Sequence, residues 1–207
     1  MSTAIFDLET NGIEDFQNLT DLHTIHCLAI EWVGDCTGVD HHTKGVWTGD
    51  DITAGLKLLA MQDEIVGHNV IAFDIPAIKK LYPWWKPKGL VRDTLVLARL
   101  AWSDQRNKDL GNKLLPKELT GSHSLKAWGY RLGEHKGEYA GSWDSLTNDM
   151  VEYCQQDVRV TSLLYVAACN HLKNIEAITL EHQFHEIICE QERTGFGFDT
   201  TKAAELY

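Results

Sequence analysis

Thr3-Ala4-Ile5-Phe6-Asp7-Leu8-Glu9-Thr10-Asn11-Gly12 decides how the rest of the chain is read. The run Thr3–Leu8 is short and apolar and breaks off in a polar turn with a glycine, the pattern of a buried strand entering a loop. Alternation along an extended backbone puts Asp7 and Glu9 on one face. Two carboxylates held side by side repel each other, and a cation relieves that repulsion. A lone Asp-x-Glu is more often a pair of solvated acids in a turn, so its meaning depends on the rest of the chain.

Beyond this opening the chain reads as strands and then alternating helices and strands. Thr24–Val33 is a second strand, Asp35–Gly38 a turn and Val39–Thr48 a partner strand, giving an antiparallel meander. Asp50 and Asp51 open a helix that runs through Met61, with the acids at the end where the helix dipole favours them. Glu64–Gly67 is a short strand, and a helix begins near Phe73 and ends by Tyr82, ahead of Pro83. Leu90–Val91 is a further short strand, and Asp93-Thr94 caps a helix to about Trp102. Ser103–Gly121 reads as a long polar surface loop, of a length that is often functional. Ser122 or Ser124 caps a helix to about Leu132. A long helix spans roughly Ser145 to Leu172, and a last one covers Glu176–Arg193 and ends at Gly195. This order indicates an α/β or α+β sheet with helices packed on it.

Bulk properties narrow the class. The 207 residues are 43% hydrophobic and 24% charged, enough for one α/β domain or one domain and the start of another. No apolar run approaches the ~20 residues of a membrane span. The start MSTAIFDLET lacks a secretory pattern. Cys27, Cys36, Cys154, Cys169 and Cys189 are odd in number and include no CxxC pair. That argues for reduced thiols in a cytoplasmic setting and against a disulfide framework or zinc site. The formal net charge of −11 is unusual for a protein that grips nucleic acid through a basic patch. No GxGxxG follows a strand, which removes a dinucleotide-dependent dehydrogenase.

Two further motifs give the opening acids their context. In Gly67-His68-Asn69-Val70-Ile71-Ala72-Phe73-Asp74, a strand enters and a helix leaves, so Asp74 falls in or near the first helical turn. In Tyr153-Cys154-Gln155-Gln156-Asp157, the i and i+4 positions bring phenol and carboxylate to one helix face. Each has an ordinary reading by itself: an acid favoured by a helix dipole, and a core tyrosine with a surface acid one turn on.

Together, a strand-end DxE, an N-x3-F-D at a helix start and a Y-x3-D in a late helix resemble the DEDD exonuclease superfamily, in its tyrosine-containing subclass. The segments Asp93–Leu100, His123–Gly133 and Lys136-Gly137-Glu138-Tyr139 look like the 3′→5′ exonuclease domain of family A DNA polymerases from short-tailed bacteriophages. The likeness covers most of residues 1–172. Glu190–Asp199 is similar to the segment with which such polymerases begin their polymerase domain. The resemblance therefore implies a ribonuclease H-like mixed β-sheet with helices on both faces. It also implies an exonuclease domain over 1–174 and the start of a polymerase domain, or a helical extension, over 175–207.

The same resemblance implies a chemistry. Two divalent ions, Mg²⁺ or Mn²⁺, would be held by Asp7, Glu9, Asp74 and Asp157, with Tyr153 orienting the attacking water. Asp7 would bridge, and Asp74 would act in the outer sphere. The partner would be a single-stranded or frayed 3′ end of DNA, together with a polymerase module in the same chain or a separate subunit. Leu8 and Thr10 would hold the terminal nucleotide, Ile13 would wedge against the penultimate base, and Asn69 would bond a phosphate or sugar. Phe73 reads as core, and Arg106, Lys108, Lys113 and Lys117 as a strand-guiding surface or as ordinary solvated cations. His68 and His123 read as structural, and His182 with His185 lacks the further ligands a zinc site needs. Two other readings stay open: an RNA-trimming member of the superfamily, and a non-catalytic docking module of a split polymerase.

Overall fold

The computed structural model describes residues 2–33, 43–134, 137 and 139–206. The turn expected at Asp35–Gly38, the first part of the Val39–Thr48 strand, Lys136 and Glu138 lie outside the described residues.

Five strands form one sheet: β1 (Thr3–Thr10), β2 (Ile25–Val33), β3 (Thr43–Thr48), β4 (Glu64–Gly67) and β5 (Leu90–Asp93), in the spatial order β3-β2-β1-β4-β5. β2 runs antiparallel to both β1 and β3, which is the expected meander. β1 and β4 are parallel, with Ile5 opposite Val66, and so are β4 and β5, with Gly67 opposite Asp93. Parallel pairs need crossovers, and these are supplied by α1 (Ile52–Ala60) and α2 (Asp74–Leu81). This is the ribonuclease H-like mixed sheet, and its helices lie on both faces as the sequence led us to expect.

The alternation in β1 assigns the faces. Ala4, Phe6 and Leu8 join Leu28 and Ile30 of β2 and pack under Ile52, Leu56 and Leu59 of α1 and Ile75 and Ile78 of α2. Ile5 points to the other side, with Cys27, Ala29 and Val66, beneath α3 (Thr94–Ala101), α6 (Asn148–His171) and α7 (Ile175–Thr194). Asp7 and Glu9 follow Ile5 toward that second face, where α6 packs across β1 and β2. The β1–β2 pairing slips between Glu9 and Thr10, a bulge of the kind that re-aims side chains beside functional sites.

Caps fall where small polar residues precede apolar periodicity. Asp93 accepts from the Leu95 amide at the start of α3, and Ser124 from Ala127 at the start of α5 (Leu125–Leu132). Thr147 accepts from Met150 at the start of α6.

The structure departs from the sequence reading in one connecting segment. Ser103–Gly121 is not a structureless loop: it contains α4 (Gln105–Asp109) and a 3₁₀ turn at Lys117–Leu119. A buried ion pair fixes it. Arg131 of α5 donates through Nε and Nη2 to Asp109 at 3.0 and 2.7 Å, and Asp109 also accepts from the Gly121 amide and Gln105. Burial pushes the Asp109 carboxyl up, but Arg131, Gly121 and Gln105 together outweigh it and hold the group at about 2.

α7 is anchored on this body. His182 accepts the Asp93 backbone N–H through Nε2 at 2.9 Å, and its Nδ1 lies 2.7 Å from the Ile178 carbonyl. Arg193 donates to the carbonyls of Ile71 and Ala72. A short helix, α8 (Thr200–Glu205), comes after it. Among the described residues, no helix is long and apolar enough to cross a membrane.

Candidate active site

Asp7 and Glu9 stand at the carboxyl end of β1, the central strand, and are met by α6 from above. Ligand atoms of Asp7, Glu9 and Cys154 all lie within 4.8 Å of one another. The Cys154 thiol donates to the Asp7 carbonyl at 3.4 Å. Burial first, and then the neighbouring Cys27 thiol and the Asp7 and Glu9 carboxylates, raise Cys154 above the ordinary thiol range.

Asp74 comes to the same place from α2. The loop before it is held by Asp93, whose carboxylate accepts from the Asn69, Ile71 and Leu95 amides at 2.8, 3.1 and 2.9 Å. Asn69 takes the sharp exit from β4 with a left-handed backbone, φ 62°. Asp74 is 5% exposed, and its carboxyl is raised to about 7. The largest cause is burial, and the carboxylates of Asp93 and Asp157 add to it; hydrogen bonds from its own amide and that of Leu8 pull the other way. Asp157, 6% exposed, is thus close enough to act on Asp74.

Asp7, Glu9 and Cys154 form the tight group, Asp74 is tied to it through the Leu8 amide, and Asp157 of α6 is near enough to act on Asp74; Glu9 is 8% exposed and Asp7 half-buried. Several carboxylates in low dielectric cannot all ionise without a counter-charge. The carboxylate oxygens of Asp7 and Glu9 suit a hard divalent cation.

Tyr153 stands one helical turn before Asp157, half-buried. Its ring lies 5.9 Å from that of Tyr139 and 6.3 Å from Trp143. Tyr139 donates to the Ser142 carbonyl at 2.7 Å, and His26 Nε2 lies 2.9 Å from the Trp143 carbonyl. These contacts hold an irregular segment against the acids.

Beside the acids is a cavity of about 330 Å³, lined by Leu8 to Ile13, Phe16, Phe73 and Trp143. Leu8, Thr10 and Ile13, singled out in the sequence, all line it. The Leu8 amide is bonded to the Asp74 carboxyl, and the Thr10 hydroxyl donates to the Asn11 carbonyl at 3.0 Å. Asn69 lies on the other side of Phe73, on two adjacent clefts. Phe73, expected as core, is half-buried and forms part of the cavity wall. Phe16 and Trp143 are not marked by the sequence motifs. The available signal was a large aromatic residue in a polar stretch with no periodicity to bury it.

Arg106, Lys108, Lys113 and Lys117 are all exposed. His68 Nδ1 lies 2.9 Å from the Thr94 hydroxyl, and both nitrogens of His182 are engaged by backbone groups.

No protein-family model matches the chain. Its sequence is similar to the DNA-directed DNA polymerases of Escherichia phage T7 and Enterobacteria phage T3. Each is 34% identical over 188 aligned positions, taking in 69% of this chain and 27% of theirs. The chain thus spans about a quarter of the length of the curated relatives it matches. Among solved structures it is similar to NrnC of Brucella melitensis with bound Mg²⁺. That match is 18% identical with a TM-score of 0.55, and covers 93% of this chain and 82% of the other.

Proposed function

We propose, from the likeness to the DNA-directed DNA polymerases of these phages over the part of them that it matches, that the chain is a proofreading nuclease: a divalent-metal-dependent enzyme that removes nucleotides from the 3′ end of DNA. The observation that supports this reading is the pairing of Asp7 and Glu9 at the end of β1, with Asp74 bonded to the Leu8 amide between them, beside a cavity of about 330 Å³.

In this reading Asp7, Glu9 and Asp157 would hold a divalent ion, and Asp7 with Asp74 would help to place a second. Such ions supply an activated water at neutral pH and neutralise charge on the phosphate and on the departing 3′ oxygen. Mg²⁺ and Mn²⁺ both suit all-oxygen ligands, and the Mg²⁺ bound to NrnC is in keeping with that choice. Tyr153 would orient the attacking water through its hydroxyl. The terminal base lies in the cavity between Phe73 and Trp143, with Ile13 and Phe16 at its edge. Thr10 receives the sugar, and Asn69 meets the backbone beyond. An unpaired end enters such a site at lower cost than a paired one, which is the basis of proofreading.

Residues 1–174 form the nuclease unit in this proposal, and 175–207 lead toward a polymerase module. α7 exposes Leu180, Phe184 and Ile187 at i, i+4 and i+7, a face suited to such a partner.

The test uses 3′- and 5′-labelled single-stranded DNA with Mg²⁺, Mn²⁺ or EDTA, and RNA of the same sequence. Stepwise shortening of DNA from the 3′ end that needs metal and is lost in Asp7→Ala is the expected result. Shortening of RNA in preference to DNA would redirect the reading to RNA trimming. A folded chain inert on both would leave the docking-module reading.

A further inference from the structure

Beyond Asn69, on the far side from the nucleotide-sized cavity, lies an open cleft of about 660 Å³ whose lining includes His68, Asn69, Arg99, Ser122, His123 and Ser124. In a chain of net charge −11, no carboxylate among the described residues lines it. We propose that this cleft is a phosphate subsite that holds the nucleic-acid strand 5′ of the scissile end, with Arg99 and His123 as its contact residues. The proposal rests on the nuclease reading above.

Position is the first argument. His68 and Asn69 come directly after β4. In the parallel pairing of β1 and β4, Val66 faces Ile5, so His68, just past β4, lies at the same end of the sheet as Asp7. The cleft and the acids therefore share the carboxyl edge of the sheet. In open α/β sheets that edge is where ligands bind.

Chemistry is the second. Arg99 extends from α3 into solvent and forms no ion pair or hydrogen bond among the described residues. A planar guanidinium left uncommitted beside an acid-rich site is suited to a phosphodiester, which it engages through two oxygens. Arg131, the other guanidinium near His123, is already paired with Asp109 and packs over Trp128, so it stiffens the wall and is not the ligand. The His123 ring lies 5.9 Å from Trp128, and its Nδ1 is buried with no hydrogen-bond partner among the described residues. Ser122 donates to Ser124, which caps α5, so the cleft also faces the amino end of that helix. Arginine, imidazole, hydroxyl and helix terminus are the groups that position a backbone without reading its bases.

The inference also accounts for how so acidic a chain holds DNA. The attraction is confined to one short track leading to the acids instead of being spread over a basic face.

The experiment measures binding of the full chain to a 5′-fluorescein oligothymidylate of roughly twelve nucleotides. Anisotropy is followed in EDTA across a KCl series, and 3′-shortening is followed with Mn²⁺ on the same samples. Arg99→Ala is expected to weaken binding roughly 5- to 10-fold and to flatten the slope of log K against log salt by about 0.7, the loss of one phosphate contact on a single strand. It should raise KM more than it lowers kcat. Arg99→Lys should keep the salt slope while losing part of the affinity, because it retains charge without the fork. His123→Ala should weaken binding with the slope unchanged. Arg99 is exposed, so its variants keep the wild-type thermal midpoint. An Arg99→Ala chain with wild-type Kd and salt slope, on a sample that still shortens DNA, overturns the phosphate subsite and leaves the nuclease reading standing. A wild-type chain that neither binds nor shortens DNA overturns both.

Discussion

Asp93→Asn perturbs a residue that is not itself a proposed ligand or substrate contact but holds the backbone of one, Asn69, and it should affect both stability and metal binding. The native carboxylate accepts three backbone amides: Oδ1 takes Asn69 and Leu95, and Oδ2 takes Ile71. An asparagine can keep one oxygen in place, but its NH₂ then faces the Ile71 N–H, donor against donor. One unmet buried amide costs about 1–3 kcal/mol. The two remaining bonds lose their charge assistance, about 0.5–1 kcal/mol each. Removing the Asp93 charge relieves some repulsion on Asp74 and offsets a small part. The net effect is a destabilisation of about 2–4 kcal/mol. Asp93→Ala, with all three amides unmet, should lie above that range. Urea unfolding of the metal-free chain at pH 7 measures the first effect, with an unchanged m-value expected. The second is a loss of Mn²⁺ affinity by calorimetry under conditions where the variant remains folded, because the loop that presents Asp74 has lost its anchor. If Asp93→Asn unfolds within about 0.5 kcal/mol of wild type and binds Mn²⁺ equally well, the carboxylate does not organise this loop and the reasoning fails.

Asp109 gives a prediction in pH. Its folded carboxyl is held at about 2 against an ordinary 3.8, so the native state binds fewer protons than the unfolded one. The stability it adds, about 2 kcal/mol, should be present above about pH 4 and vanish as pH falls through about 2. A comparison of wild type with Asp109→Asn over that range should show the gap closing; a constant gap would contradict it. Asp74 works in the opposite sense. With its folded carboxyl at about 7, the metal-free native state holds a proton that the unfolded chain releases, so its presence lowers stability as pH rises from about 4 to about 7. Mn²⁺ must displace that proton. Its upward shift of the thermal midpoint should therefore be larger at pH 8 than at pH 5.5, and equal shifts would rule out Asp74 as part of the metal site. Trp143→Ala removes one wall of the nucleotide-sized cavity. It is expected to raise KM for single-stranded DNA about 10-fold, in line with base-stacking energies of about 1–3 kcal/mol, while Mn²⁺ binding is retained. An unchanged KM would place the terminal base elsewhere.

The range of each interaction decides whether the sequence reveals it. β1, β2 and β4 declare themselves by alternation or by short apolar runs between turn residues, and β4 is bounded to the residue. The caps at Asp93 and Ser124 are readable because a cap reaches only two or three residues ahead. α4 is not: Arg106, Asn107 and Lys108 have no apolar period, and the helix exists because Arg131, 22 residues on, holds Asp109. The second task of Asp93, binding the Asn69 and Ile71 amides 24 and 22 residues back, has no local signature either. The acids stand out through an ordered set of motifs. The cavity beside them does not, since Phe16 and Trp143 come from irregular segments that only the fold brings together.

The central place of β1 has a dynamic consequence. Its backbone is paired on both sides, and its Ala4, Ile5 and Phe6 are fully buried. Amides there should exchange with solvent only when the whole molecule opens. Asp7 and Glu9 thus follow directly on the slowest-opening part of the chain. Tyr153, by contrast, rests against an irregular segment held by Tyr139, Trp143 and two side-chain hydrogen bonds to backbone. Mild denaturant should release that segment first, uncoupling cation retention from water placement: a chain that still holds its ion while turnover has stopped.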